Sequence, residues 1–479
     1  MVWVGKESGI MAQAYFTDIN KIPEKRSMVV IDVKSERQLL FDDLFVALGR
    51  KYDQYPYNIK WSVAKVEKHG GSLMHAQLPW EDSTAWFSVL KDGGKYRMWY
   101  NSKHGNDKAL VVSYAESDDG LNFIRKELNT VEYQGSNKNN IVFVEGEKYG
   151  ESAEMGNVFY DPHGNEYEKY KMVYTTWEGK YIYENDLLLR GGTLRGAASP
   201  DGIHWQKYYQ IFYGNYCDSQ NAACWDETLG KFIIYHRCGS RYGEVDVGNY
   251  RIGPDNRGRS IGRIESPDYR HWSQSEVALQ PDILDGLNVD IYNSGYSMYP
   301  GAPNCHFMFP SFYRHYEGTM DVQVCTSRDN KNWTRATRET FIPLGKPGEF
   351  DSYIIYVSPG FIPIDNDHYA LYYRATDRPH PGSAPVMSEE EMRSKKSHMG
   401  RVVIKRERIV GIEAGDDIGR FSTRPLKFSG KNLFLNIEPI GPEAELRVQL
   451  LSAETNEPIE GYTFDKCEPM SADSLDAVV

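Results

Sequence analysis

Five acidic spots carry the chemistry this chain could perform. Each stands just before a strand-like run: Glu81 and Asp82 before Trp86–Leu90, Glu154 before Val158–Tyr160, Asp218 before Ala222–Trp225, Asp290 before Ser294–Tyr299, and Asp351 before Ile354–Gly360. Three of them pair the acid with an asparagine three residues on, as Glu154/Asn157, Asp218/Asn221 and Asp290/Asn293. Taken singly, an acid or asparagine before a strand is ordinary turn and cap chemistry. Taken together in one cleft, carboxylates cannot all ionise freely, and their proton affinities separate into those of an acid and a base. Cleavage of a glycosidic bond needs two such groups flanking it. Basic residues follow at the far ends of the next strands: Lys103-His104, His236-Arg237, Arg241, Arg314-His315, Arg374 and Arg378. They read either as ion pairs on an acidic surface or as a rim that orients an anionic group and hydrogen-bonds sugar hydroxyls. Trp80, Trp86, Trp99, Trp177 and Trp225 read first as packing and second as faces on which a sugar could stack.

Groups so far apart in sequence meet only if the fold brings equivalent strand starts to one place. One motif, Ser-x-Asp-x-x-x-aromatic, recurs as Ser117–Phe123, Ser199–Trp205, Ser266–Trp272 and Ser327–Trp333. Its Asp, Asn and Gly close a short polar loop, and the aromatic residue returns to pack on the sheet. Aromatic and branched strands recur at Tyr96–Asn101, Tyr170–Thr175, Phe232–Arg237, His306–Ser311 and Tyr369–Arg374. Repeats of roughly 60 to 80 residues with four strands each are the size of propeller blades and too long for WD40 or kelch units. The expected fold is all-β: a five-bladed β-propeller over 37–412, with an N-terminal arm (1–36) and a small C-terminal β-sandwich (413–479). Arg37–Val46 reads as the strand that starts or closes the ring, and Met387–Lys396 as a polar excursion with a helical turn or two. In a propeller the innermost strands converge on an axis, which would gather the acids.

Composition narrows the partners. The 479 residues carry a net charge of −12, which disfavours a phosphate-backbone partner, and 13% aromatics suit β structure. No apolar run approaches the roughly 18 residues of a membrane span. Met1–Phe16 lacks the pattern of a secretory signal, so a cytoplasmic location is expected. The six cysteines are too sparse for a disulfide scaffold. Cys217, Cys224 and Cys238 lack a C-x-x-C pair, so neither a metal nor a cofactor is expected. No H-E-x-x-H, P-loop, dinucleotide fingerprint or Gly-x-Ser-x-Gly is present.

Ser199-Pro-Asp-Gly-Ile-His-Trp205 with its three relatives, Tyr96-Arg-Met-Trp-Tyr100 and the appended C-terminal unit resemble the five-bladed propeller glycosidases. That superfamily holds the arabinanases, invertases and neoagarooligosaccharide hydrolases, and the likeness covers roughly residues 37–412. It implies a base or nucleophile, a general acid and an orienting carboxylate drawn from inner strands of different blades. Carried onto this chain, it favours Glu81 or Asp82, Glu154, Asp218 and Asp290. The invertase signatures N-D-P-N-G, R-D-P and E-C do not occur, so no tripeptide assigns the roles. The resulting expectation is a glycoside hydrolase that takes terminal units from an oligosaccharide, with Glu81, Glu154, Asp218 and Asp290 catalytic. Asp82, His104, Asn157, Asn221, Arg237, Asn293, Arg314, His315 and Asp351 would contact the substrate. Two alternatives stand beside it. One is a glycoside phosphorylase with phosphate held by Arg237, Arg314 or His315, and the other is a non-catalytic carbohydrate-binding propeller.

Overall fold

The computed structural model describes residues 30–47, 55–103, 109–146, 151–176, 182–184, 187–189, 192–208, 212, 217–239, 259–286, 288–302, 304–381, 388, 390 and 396–479. His104, Trp177, Arg241, residues 1–29 of the expected arm and most of Met387–Lys396 lie outside them. The chain divides into two compact units: Val66–Trp333 with Thr340–Ile404, and Met1–Lys65 with Thr334–Glu339 and Lys405–Val479.

The larger unit is all-β in a propeller arrangement, with a single 3-10 turn (Ile283–Asp285) as the one named helical element among the described residues. Its first sheet runs Ser83–Asp92, Lys95–Lys103, Val111–Ser117 and Ile141–Phe143, each antiparallel to the next. Gly93 and Gly94, both at positive φ, make the tight turn that a right-twisted hairpin needs. The second sheet holds Glu154–Tyr160, Tyr170–Thr176, Thr193–Ser199 and Gln206–Lys207, and the third Ala222–Asp226, Lys231–Cys238, Ser260–Ser266 and Glu276–Leu279. Apolar clusters fill the spaces between consecutive sheets. Met172 and Tyr174 pack with Met98 and Trp99, Phe159 with Phe232 and Tyr269, and Tyr235 with Tyr296.

The sheet pairing sets off four units rather than five. The fourth is an eight-stranded sheet that includes both Val289–Ile291 and Ile354–Val357. Pro310 explains the difference. It has no amide hydrogen to donate, so the expected strand His306–Ser311 breaks there into His306–Met308 and Ser311–Arg314. The first piece joins a separate three-stranded sheet. The second pairs with Thr319–Val322, which meets the following strands through one parallel pair, Met320 with Ile354.

An inner strand is the edge of its sheet, and its unpaired backbone groups must find partners. Neighbouring sheets supply them. Ser88 donates to the carbonyl of Val158 at 3.1 Å, and the Asn101 side chain accepts from the amide of Met155 at 2.8 Å. Asn157 clasps both the amide and the carbonyl of Ala223, and the amide of Ile291 donates to Arg259. Within the fourth sheet Ser311 donates to Ile355, and Ser358 returns to the first sheet by donating to Phe87 at 2.8 Å. Gln220 reaches across, donating to both Phe87 and Gly156. A Cβ on Gly156 would meet the carbonyl oxygen of Asn221 at 2.2 Å, so only glycine permits this approach. The order of sheets therefore closes on itself.

The four Ser-x-Asp loops are built alike. In each, the aspartate Oδ1 accepts the amides two and three residues on, Ile203 and His204 in the case of Asp201. The residue after the aspartate (Gly120, Gly202, Tyr269 or Asn330) takes positive φ. In three copies it offers its carbonyl to an aromatic residue of the adjoining sheet: Gly120 to Tyr372, Gly202 to Trp99 and Asn330 to Tyr235. The motif is thus a latch between sheets.

The smaller unit collects two-stranded pairs: Ile31–Lys34 parallel to Leu426–Phe428, Val46–Ala47 with Ser422–Thr423, Ile59–Val63 with Val410–Ala414, and Phe434–Ile437 with Ser474–Val478. Arg37–Val46 is mostly a turn here, because Asp42 and Asp43 accept amides within it. In the larger unit Glu67–Lys68 pairs with Ser397–Lys405 instead. Arg408 is buried and holds the smaller unit's ends together through Asn436, Glu438, Ile437 and Asp473.

Asp201→Ala should lower folding stability by about 1 to 2 kcal/mol, the range of one or two hydrogen bonds to a carboxylate. Burial alone would raise the Asp201 pKa, but the amide and side chain of His204 and the amide of Ile203 bring it down to about 2. Its contribution is therefore present above the unfolded value near 4 and is lost as pH falls toward 2. Chemical denaturation at pH 7 and pH 2.5 checks this, with a smaller gap between wild type and variant expected at pH 2.5.

Candidate functional site

Three of the acids come together. Glu154 opens the second sheet's inner strand, and its Oε1 accepts the indole N–H of Trp86 from the first sheet at 2.7 Å. Asp218 lies on the loop before Ala222–Asp226, which Gln220 and Asn221 pin. The Asn221 amide group donates to Thr175 and to the carbonyls of Cys217 and Ser219. Asp290 sits in the short strand Val289–Ile291, where Oδ1 accepts the amide of Arg259 at 3.3 Å and Oδ2 lies 2.9 Å from Nε2 of His315.

Arginines and aromatic rings join them. The Arg237 guanidinium abuts Asp218 Oδ1, and Nη1 of Arg259 lies 4.0 Å from the same oxygen. Arg259 donates from Nε to the carbonyl of Tyr292 at 3.0 Å, with its guanidinium 3.3 Å from that ring's centre. Tyr292, Tyr356 and Trp86 follow at centroid spacings of 5.1 and 5.0 Å, and Arg374 stacks 4.7 Å over Trp86. His380 Nε2 is 3.1 Å from the Tyr292 hydroxyl.

Burial pushes the Asp218 carboxyl up to about 7. Arg259 opposes this and Glu154 adds to it. Contact with Arg237 favours the charged form. A quarter of the Asp218 side chain is still exposed, so the group can reach a ligand. A carboxyl that exchanges its proton near neutrality, beside a second acid, is equipped for proton transfer.

The other expected residues lie elsewhere or are otherwise engaged. Glu81 is buried and accepts from Tyr100 and the amides of Gln77 and Leu78, with Arg125 3.4 Å away, so it braces the first sheet's entry. The amide of Asp82 donates to Lys103 at that sheet's end. Asp351 holds Lys68 and Tyr373, and Arg314 is paired with Asp321. Asn157 serves as a clamp between sheets, and Asn293 ties Val357 to Ser311 within the fourth sheet. Asn221 holds the Asp218 loop from behind. Arg237 and His315 belong to the acid cluster.

Arg259, Tyr292, Tyr356 and His380 were not among the expected site residues. Tyr292 stands inside the Asp290-Ile-Tyr-Asn293 quartet, which is a usable signal, whereas no spacing rule marks Arg259. No three His, Cys, Asp or Glu side chains among the described residues are grouped to hold a metal ion.

No family model and no curated protein sequence matches the chain. Solved structures align with the chain at TM-scores below 0.5. An N-acetylgalactosamine deacetylase from F. plautii shares 12% identity, with 71% of this chain and 96% of that one covered at a TM-score of 0.47. A glycoside hydrolase shares 16% over 70% and 92% at 0.44. An α-L-arabinofuranosidase from Podospora anserina, in complex with cellotriose, shares 11% over 71% and 96% at 0.45. Likenesses this remote carry no chemistry to this chain, whose site has to be read from its own residues.

Infrared titration of the protein should show one carboxyl band that persists to about pH 7 and is missing from Asp218→Asn. A spectrum in which every carboxyl ionises below pH 5 contradicts the assignment.

Proposed function

We propose that this protein is a glycoside hydrolase working at the axis of its propeller, with residues 413–479 as a small C-terminal β-sandwich. The observation that carries the proposal is the meeting of Glu154 and Asp290, from two inner strands, with Asp218, from the loop before the strand between them, Asp218 being both accessible and pushed up to about 7. In this reading Asp218 is the general acid that protonates the leaving oxygen. Glu154, held as an acceptor by the Trp86 indole, is the base or nucleophile across the bond. Asp290, fixed by His315 and the Arg259 amide, orients sugar hydroxyls. The substrate is the end of an oligosaccharide.

The paired guanidiniums at Asp218 favour one second reading, phosphorolysis, in which phosphate replaces water as nucleophile. Arg314, engaged with Asp321, has no place in it.

Asp218→Asn should lower turnover on a glycan panel by at least about a hundredfold, the scale of a lost proton-transfer group, and Asp290→Asn by about as much through lost orientation of the sugar. The thermal transition should move little. Because the acid must be protonated, the rate should fall as pH rises through about 7. Full turnover in both variants overturns the reading, and sugar phosphate formed only when phosphate is added selects the second.

A further inference from the structure

Glu154 takes a hydrogen bond from an indole that carries a cation. Trp86 lies in the first sheet's inner strand, is 4% exposed, and donates its N–H to Glu154 Oε1 at 2.7 Å. At that exposure the ring is not offered to a sugar. The Arg374 guanidinium stacks 4.7 Å from the ring's centre, and Tyr356 meets the same ring edge to face with centroids 5.0 Å apart. Arg374 is itself fixed. It sits opposite Tyr356 across the fourth sheet, its guanidinium is 5.6 Å from that ring's centre, and its Nε donates to the Ser397 hydroxyl at 2.8 Å. It forms no ion pair among the described residues, so its charge is directed at the two rings.

A cation over an indole face is attracted by the ring's quadrupole and so holds the plane of the ring. Its field also draws electron density from the nitrogen and makes the N–H a stronger donor, as linked polar groups polarise one another in a dry setting. Ser397 holds Arg374, Arg374 holds Trp86, and Trp86 aims one N–H at one carboxylate oxygen.

We propose that Arg374 is a positioning residue that, through the Trp86 ring, sets the direction and strength of the hydrogen bond on Glu154. The catalytic consequence rests on the reading of Glu154 as base or nucleophile; the bond itself does not.

The bond is read without turnover from the 1H–15N resonance of the Trp86 indole in the full chain, assigned by its absence from Trp86→Phe. Glu154→Gln should move that resonance upfield, because a neutral amide is a weaker acceptor than a carboxylate. Arg374→Gln should move it the same way, and Arg374→Lys, which keeps the charge, should restore part of the shift and guards against a change caused by misfolding. On a glycan substrate Arg374→Gln should lower kcat at least about fivefold while KM changes less than about twofold, with partial recovery in Arg374→Lys. An unmoved resonance in Arg374→Gln, an equal displacement in both Arg374 variants, or a raised KM with kcat intact overturns the positioning role. The expected shifts in a protein that turns over no glycan keep the relay and sink the hydrolase. The expected shifts with full turnover in Glu154→Gln keep the relay and sink the role given to Glu154.

Discussion

Each inner strand in a ring of sheets has backbone groups with no strand to pair with, and in this protein polar side chains from neighbouring sheets or from elsewhere in the same sheet satisfy them. Ser88, Asn101, Asn157, Ser311, Ser358 and Gln220 do this work, each bridging to the next inner strand or across the axis. A hydrogen bond of this kind contributes only about 1 kcal/mol net, but leaving a buried carbonyl or amide unpaired costs about 1 to 3. The ring is therefore held less by the strength of any clamp than by the penalty for losing it. The outer Ser-x-Asp latches repeat the principle at the sheets' far ends, with a carboxylate ordering the loop and a carbonyl accepting from the adjoining sheet.

The same constraint places the chemistry. Gln220 and Asn221 anchor the loop that carries Asp218, while Glu154 and Asp290 sit on inner strands that the clamps fix against their neighbours. Because the clamps dehydrate this region, the carboxyl of Asp218 is driven toward neutrality in charge, and Arg237 and Arg259 pull against that drive. An asparagine that holds two backbone groups of the next sheet, as Asn157 does, has nothing left for a substrate. Position near the axis and availability at the axis are separate properties.

The sequence made the periodic features legible and the reciprocal ones not. Four Ser-x-Asp loops and five aromatic runs announce repeated sheets, since turn chemistry and alternation are local. What Pro310 does to pairing was visible as a residue, but its consequence, a strand shared between two sheets, depends on partners that only the fold supplies. Glu154, Asp218 and Asp290 were found through their place before a strand. Glu81 shares that place, yet it faces Tyr100 and Arg125 instead, because its chain enters from a turn at Leu78 rather than along the axis. Arg259 could not be found by spacing, since its role arises from contacts with Tyr292 and two acids contributed by other segments.

The most direct test of this account is the proton affinity of Asp218 in Gln220→Ala, followed by infrared titration on the folded protein. If the axial clamp is what holds this acid in its dry setting, the carboxyl should ionise well below pH 7 once Gln220 no longer ties Phe87 and Gly156. An Asp218 band that still titrates at about pH 7 in this variant would show that the clamps do not set the acid's environment.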